Sequence, residues 1–408
     1  MDETLIKKYA KLIADVGAAV KPGQYVLIRT TPDQEKFAAL VAEECYKAGA
    51  KRVCMEWRSQ ILDRVNYTYG TAEDLGKLTA YDLGFQKFQT EDLPVLIWLD
   101  GEDPDGLKGL DAKKMADVRA LRYNGAKKLI EEREGKYQWC IAGCPSVNWA
   151  KKVFPKLKEE EAYEKLWEAI LYTSRALDGN GEENWKKHEI DLKKRCKVLN
   201  EMHLKKLHYL SKNGTDLTIG LIPGVIFLGG GELAPDGTIY QPNIPSEECF
   251  TSPMKGEAEG IVHSSKPLVY NGQVIEDFYF VFHEGKVIEA HAKKGEDVLK
   301  SILTLDEGAS YLGEAALVPF DSPINQTGLL FFNTLYDENA CCHLAIGRGF
   351  PSLYPDYQKY SADDILSFGI NRSLSHVDFM IGTRDLKING TKENGEEVAI
   401  FENGTWAF

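Results

Sequence analysis

The sequence predicts an α/β N-terminal domain followed by an α+β, β-rich C-terminal domain. Its 408 residues suit two domains, because domains commonly hold roughly 100–200 residues each. Apolar runs of strand type alternate with helical segments through the first half, which is typical of a parallel sheet covered by helices. In the second half helices become sparse, and Gly and Pro are frequent. We place the boundary near residues 209–212, which gives predicted domains of 1–210 and 211–408.

The elements of the first half follow from apolar spacing and from Gly and Pro breaks. Apolar side chains at helical spacing predict a helix over residues 5–20, which Pro22 and Gly23 end. A second helix opens at Pro32 and buries a stripe that includes Phe37. Gly49 suits the end of this helix because Gly accepts the backbone conformation found there. Strands are predicted at 25–28, 52–57, 94–99 and 137–142, and later helices at 159–177 and 185–210.

The second half reads mainly as strands. Residues 216–220 form a predicted strand, and 278–283 and 286–291 flank Glu284-Gly285 as a hairpin. A short helix is predicted at about 297–304. These segments give the C-terminal half its expected β-rich character.

Composition excludes several classes of function. The formal net charge of -13 argues against a nucleic-acid partner, which would need a basic surface. We find no run of about 18 apolar residues, so no membrane span is expected. The acidic start of the chain does not resemble a secretory signal. With eight scattered cysteines, we expect a cytoplasmic protein whose thiols are reduced.

The candidate chemistry lies in carboxylates and histidines of the second half. Glu247 and Glu248 directly follow a proline turn, and Glu314 follows a predicted helix among apolar residues. His343 lies in the segment Glu-Asn-Ala-Cys-Cys-His, which begins at Glu338. Each feature has an ordinary structural explanation as well: paired acids commonly lie on the surface, and a single histidine commonly lies in a core.

His376 and Asp378 form the sharpest pattern, because they alternate with Val377 and Phe379. On a strand the polar pair would share one face and the apolar pair the other. Carboxylate oxygens and imidazole nitrogens are ligands for zinc and for harder divalent cations. Two Glu, one Asp and two His carry three negative charges, which suits two cations and leaves room for a bridging hydroxide. A nucleophilic Cys342–His343 pair is disfavoured, because adjacent strand residues point to opposite faces.

The order of these motifs resembles the thermophilic metalloaminopeptidase family, of the aminopeptidase T and aminopeptidase S type. The motifs are Asn-Ile-Pro-Ser-Glu-Glu at 243–248, Leu-Gly-Glu at 312–314, Glu-Asn-Ala-x-x-His-Leu-Ala-x-Gly at 338–347 and His-Val-Asp-Phe-Met-Ile-Gly at 376–382. A Lys-Pro-Gly-Gln turn at 21–24 extends the resemblance toward the N-terminus. The resemblance implies a C-terminal catalytic domain with two divalent metals, release of N-terminal amino acids from peptides, and a homodimer.

Carried over residue by residue, the resemblance implies five metal ligands. They are Glu248, Glu314, His343, His376 and Asp378. Glu248 is chosen over Glu247 because the family's ligand is the second acid of the Pro-x-Glu-Glu step. For catalysis, the expected proton acceptor is Glu314 or Glu247, and Glu247 could instead support the ligands. The metals would be zinc, cobalt or manganese, and the substrates peptides with a free N-terminus.

One position departs from the family pattern. The family usually has a tyrosine seven residues after the first ligand histidine, and here that position is Phe350. Phenylalanine has no oxygen to bind a metal or form a hydrogen bond. Two alternatives to the aminopeptidase therefore stay open: a metal-binding homologue with lost or altered peptidase activity, and a related metallohydrolase such as an amidase.

Overall fold

A computed structural model describes residues 2–270 and 272–408 of the chain. The chain mixes helices and sheets, and it divides into two compact units. The first unit contains the residues up to Lys186 together with Gly231–Pro245, and the second contains Lys187–Gly230 and Ser246–Phe408. Within the described residues, no helix has both the length and the apolar character needed to cross a membrane.

The first 201 residues contain nine α-helices and four strands among the described residues. The helices are α1 (Glu3–Leu12), α2 (Glu35–Lys47), α3 (Gln60–Tyr69), α4 (Ala72–Gly76), α5 (Ala80–Glu91), α6 (Ala112–Arg133), α7 (Val147–Val153), α8 (Glu159–Thr173) and α9 (Gly181–Glu201). The strands are β1 (Tyr25–Thr30), β2 (Arg52–Trp57), β3 (Val95–Asp100) and β4 (Trp139–Gly143).

Strands dominate the remainder of the chain. They are β5 (Leu204–Leu210), β6 (Asp216–Leu221), β7 (Glu232–Leu233), β8 (Ile239–Tyr240), β9 (Asn243–Ile244), β10 (Cys249–Thr251), β11 (Pro253–His263), β12 (Leu268–Tyr270), β13 (Gln273–His283), β14 (Lys286–Lys294), β15 (Leu312–Leu317), β16 (His343–Gly347), β17 (His376–Met380), β18 (Lys387–Lys392), β19 (Glu397–Glu402) and β20 (Thr405–Trp406). The helices are α10 (Glu296–Ile302), α11 (Pro323–Gln326), α12 (Thr334–Asp337) and α13 (Ala362–Ser367).

The first unit is built on a parallel sheet in the order β2-β1-β3-β4-β9. The four strands predicted from the first half are present, with bounds that differ by a few residues at most. Val26, Leu27 and Ile28 of β1 are all buried, as expected for a parallel strand that is covered on both faces. Gly49 has a φ of 98° after α2, a left-handed backbone conformation that glycine adopts readily and other residues rarely adopt.

The second unit contains two antiparallel sheets. The larger has nine strands, in the order β12-β13-β11-β6-β5-β18-β19-β20, with β14 paired to β13. The predicted hairpin is confirmed, since β13 and β14 pair around Glu284 and Gly285, which have φ values of 48° and 77°. The smaller sheet has the order β10-β15-β16-β17.

One face of the smaller sheet belongs to the core of the second unit. The side chains on this face are apolar and buried: Leu312, Ala315, Leu317, Leu344, Ile346, Val377 and Phe379. They alternate along their strands with the residues of the other face, apart from a bulge between Leu312 and Glu314. Burying one face in this way fixes the register, because a slip of one residue would turn the apolar set outward.

The helix predicted over 185–210 is wrong in its last nine residues. The helix ends at Glu201 and residues Leu204–Leu210 form β5. His203 has a φ of 50°, which breaks the helical path. Leu207 and Tyr209 are both fully buried, so the segment follows the alternation of a strand rather than the spacing of a helix.

The division between the compact units also differs from the predicted boundary. Residues 187–210 lie in the second unit, because Leu192, Cys196 and Leu199 of α9 pack in the same core as Leu207 and Tyr209. Residues 231–245 return to the first unit, where β9 pairs in parallel with β4. The chain therefore passes between the units more than once.

Candidate metal centre

The smaller sheet directs four of the predicted site residues to one face. Glu314 of β15 and Asp378 of β17 lie opposite Ala345 of the central strand β16, and His376 lies opposite Gly347. His343 pairs with Ala316, which lies two residues after Glu314. Directly opposed residues of an antiparallel pair point to the same face. The alternation predicted for residues 376–379 is therefore present, with its apolar members in the core.

Small residues separate the polar side chains on this face. Ala316, Ala345 and Gly347 lie between the strands' acids and histidines. A side chain at Gly347 would be strained, because its φ is 104° and a Cβ would lie 2.2 Å from the carbonyl oxygen of Ser375. The sheet therefore presents its acids and histidines on one face with little bulk between them.

The paired acids 247 and 248 point to different partners. Glu248 precedes β10, and its Oε2 lies 3.3 Å from Nε2 of His343. Glu247 instead donates its backbone N–H to Oδ1 of Asn339 at 2.8 Å, and its Oε2 lies 3.7 Å from Nε2 of His188. The structure thus brings Glu248, and not Glu247, to the histidine of β16.

The five predicted ligands form two overlapping groups. Glu248, Glu314 and His343 make one group, and Glu314, His376 and Asp378 make the other. Within each group the potential ligand atoms lie within 4.8 Å of one another. Nε2 of His376 is 3.0 Å from Oε2 of Glu314 and 3.1 Å from Oδ1 of Asp378. Glu314 belongs to both groups, which is the arrangement that a carboxylate bridging two ions requires.

The histidine rings are oriented for metal binding through Nε2. Nδ1 of His376 lies 2.7 Å from the carbonyl oxygen of Arg348, and Nδ1 of His343 lies 3.3 Å from that of Cys341. A carbonyl oxygen only accepts, so each Nδ1 carries the proton. Nε2 then faces the carboxylates, and a backbone partner at the other nitrogen is the usual support for a ligand histidine.

Burial makes this cluster a strong candidate for holding cations. Burial raises the pKa of Glu314 to about 7, and the nearby charges of Glu248 and Asp378 act in the same direction. Burial alone would lower the pKa of His343, but its hydrogen bond to Glu248 and the surrounding carboxylates raise this pKa to about 9. In the protein without metal, bound protons must therefore balance the negative charge of the clustered carboxylates. Oδ1 of Asp378 is also buried without a hydrogen bond, so the donor set fits divalent metal ions.

Glu338 joins the cluster although its spacing did not predict it. Burial raises the pKa of Glu338 well above its ordinary value, and the charges of Asp378, Glu248 and Glu314 raise it further. Burial opposes ionisation of Asp378, but its pKa is lowered by His376, by His343 and in part by Glu338, which places Glu338 next to Asp378. The residue lies in a short 3-10 segment, Glu338–Ala340, before β16. An acid five residues before a ligand histidine matches no strand or helix face, so spacing does not predict its proximity; its place as the first residue of the 338–347 motif was the one signal in the sequence.

Phe350 lies beside the cluster. Its ring centroid is 5.0 Å from that of His376 and 5.5 Å from that of Phe250. The position where the resemblance leads us to expect a tyrosine therefore contacts a predicted ligand. Tyr354, four residues later, stacks instead on Phe368 at 4.6 Å.

Comparisons with known proteins identify the family of the chain. The model of the thermophilic metalloprotease (M29) family matches residues 2–406. Aminopeptidase AmpS of Bacillus subtilis (strain 168) is 38% identical over 407 residues, covering 99% of this chain and 98% of that protein. Aminopeptidase T of Thermus thermophilus is 34% identical over 402 residues, covering 98% of each. The solved structure of wild-type AmpT from Thermus thermophilus matches with a TM-score of 0.90 and 33% identity over the whole of both chains. The chain belongs to the thermophilic metalloprotease (M29) family.

Proposed function

We propose that this chain is an aminopeptidase that releases N-terminal amino acids from peptides with two divalent metal ions. The observation that carries the proposal is that Glu314 belongs to both ligand groups. The aminopeptidase names of the full-length relatives support the substrate class. The second compact unit, which contains every proposed ligand, would be the catalytic domain.

Five side chains would hold the ions. One ion would be held by Glu248, Glu314 and His343, and the other by Glu314, His376 and Asp378. Zinc, cobalt or manganese would suit such oxygen and nitrogen donors. When bound, the ions would lower the pKa of a shared water and polarise the carbonyl of the first peptide bond.

The remaining acids are assigned by what they contact. We assign the proton-accepting role to Glu338, because it lies among the ligand carboxylates without belonging to either ligand group, and bound cations would oppose the burial and negative charge that raise its pKa. Glu314 then serves as the shared ligand. Glu247 has a supporting role in this proposal. Its backbone N–H donates to Oδ1 of Asn339, which holds the segment in place. Asn339 also donates from Nδ2 to Oε1 of Glu338 at 3.4 Å, so one buried amide orients both segments.

We further propose a cytoplasmic location and a homodimeric state for the enzyme. All eight cysteines are free thiols, which supports a reducing compartment such as the cytoplasm. A homodimer is proposed on the family resemblance alone, and size-exclusion chromatography with light scattering would test it.

Hydrolysis of leucine p-nitroanilide and free tripeptides tests the proposed activity. The protein is stripped with a chelator, and zinc, cobalt or manganese is then restored. We expect release of the first residue only with metal present. N-acetylated versions of the same substrates should resist cleavage, because an aminopeptidase needs the free amine. Cleavage of the acetylated substrates would favour an amidase, and bound metal without any cleavage would favour the non-peptidase alternative.

A further inference from the structure

Two aromatic rings border the ligand cluster on the face of the smaller sheet that bears the acids and histidines. Phe250 of β10 pairs with Ala316 of β15, so it projects from the same face as Glu314 and His343. Phe350 follows β16 and touches both Phe250 and the ring of His376. Both phenylalanines are partly exposed. We call Phe250 and Phe350 the aromatic wall.

The wall is held rigidly by backbone hydrogen bonds. The N–H of Phe350 donates to Oγ of the buried Ser252 at 2.9 Å. The N–H groups of Gly349 and Arg348 donate to the carbonyl oxygens of Asn371 and Ser375 at 2.9 and 2.7 Å. A surface that is fixed before binding loses little conformational entropy when a ligand covers it.

We propose that the aromatic wall receives the side chain of the substrate's N-terminal residue, so that the enzyme prefers peptides beginning with a large apolar residue. This inference rests on the aminopeptidase function proposed above. An aminopeptidase must bring the free amine and the first carbonyl to the ligand cluster. The first side chain then lies within a few bonds of the cluster, where Phe350 covers His376.

The chemistry of the surroundings sets the expected order of substrates. Partly exposed phenylalanine rings gain from burial against leucine, methionine or phenylalanine side chains. Alanine covers little of the wall. An acidic side chain would lose its hydration against the apolar rings without gaining a partner from them, which opposes its binding. We therefore expect leucine and phenylalanine to be best, alanine weaker, and aspartate weakest.

The test compares kcat/KM for a series of X-p-nitroanilides with X as Leu, Phe, Ala and Asp. Wild type should favour Leu over Ala by about tenfold, because the partly exposed wall would bury only part of the three additional carbons. Phe350→Ala should reduce that ratio to about twofold, and Phe350→Tyr, which keeps a ring, should retain it. Phe368→Ala is the matched control, since this partly exposed ring contacts Tyr354 and Tyr360. If Phe350→Ala does not fold, Phe250→Ala gives the same comparison.

A binding measurement separates failure of this inference from failure of the proposed function. Calorimetric titration of metal-loaded protein with free L-leucine and L-alanine should give tighter leucine binding with a more negative heat-capacity change. Phe350→Ala should remove that difference. If no peptide is cleaved by wild type, the proposed function fails, and the titration still reports on the wall. An unchanged leucine preference in Phe350→Ala overturns the inference, as does an equal loss for all four substrates, which would mean that Phe350 only positions His376.

Discussion

Replacing Glu314 with glutamine should remove the metal-dependent part of the protein's stability. A ligand that binds only the folded state stabilises it by about 2.7 kcal/mol when present at 100 times its Kd. The second unit holds roughly 200 residues, and at that size each kcal/mol moves Tm by about 2–4 °C. Metal at that concentration should therefore raise the melting temperature of the wild type by about 5–10 °C.

Glu314→Gln should nearly abolish this rise, because Glu314 serves both ligand groups. Loss of even a supporting partner of a ligand costs about 10–100-fold in affinity, so we take 100-fold as a lower estimate for the shared ligand. The metal would then be present at about its Kd and would contribute only about 0.4 kcal/mol, which moves Tm by about 1–2 °C.

The same variant should be more stable than wild type once metal is removed at pH 8. The pKa of Glu314 is raised in the folded chain to about 7 by burial and by neighbouring carboxylates. Such a group loses folding stability as pH rises from its unfolded pKa to its folded pKa, and the full penalty is present at pH 8. Glutamine carries no charge and avoids that penalty.

Differential scanning calorimetry with and without a chelator measures both effects. Glu289→Gln is the matched control, because this glutamate is 57% exposed on β14 and should leave both melting temperatures unchanged. The shared-ligand reasoning would be refuted if metal raised the melting temperature of Glu314→Gln by about 5–10 °C, as expected for the wild type.

Three further predictions follow from contacts around the sheet. Ile346 lies on the core face of β16 and is 1% exposed. In urea titration, Ile346→Ala should lower the free energy of unfolding by about 2–5 kcal/mol, while kcat at 20 °C should change less than about twofold. A large loss of kcat in folded protein would contradict the separation of the two faces. Asn339→Ala should cost about 1–3 kcal/mol, because the N–H of Glu247 loses its buried acceptor, and an unchanged urea midpoint would show that this bond contributes nothing. Phe350→Tyr should raise kcat by about tenfold with little change in KM, as expected for one hydrogen bond added in the transition state; an unchanged kcat would mean that Phe350 is a tolerated replacement.

The parts of the fold that sequence reasoning predicted are those with a clear local pattern. β1 is a short apolar run after a Pro-Gly break, and the β13–β14 turn has Glu284-Gly285 at its tip. Alternation likewise put His376 and Asp378 on one face and their apolar neighbours on the other. Each of these patterns depends on residues only a few positions apart, where the periods of strands and helices are decisive.

The features that sequence reasoning did not predict depend on distant contacts. β5 contains lysines among its apolar residues and directly follows a long helix, so its strand character depends on pairing with β6 and β18. The return of residues 231–245 to the first unit depends on β9 pairing with β4, some 100 positions earlier. Glu338 reaches the cluster through a 3-10 segment that has no period of its own in the sequence. Tertiary contacts decide such segments and local propensity does not.

Anomalous diffraction from crystals grown with zinc or cobalt tests the central proposal most directly. Data collected at the metal's absorption edge should show two peaks per chain. The ion at one peak should be coordinated by Glu248, Glu314 and His343, and the ion at the other by Glu314, His376 and Asp378, so that Glu314 coordinates both. A single peak, or two peaks that do not share Glu314, would contradict the account.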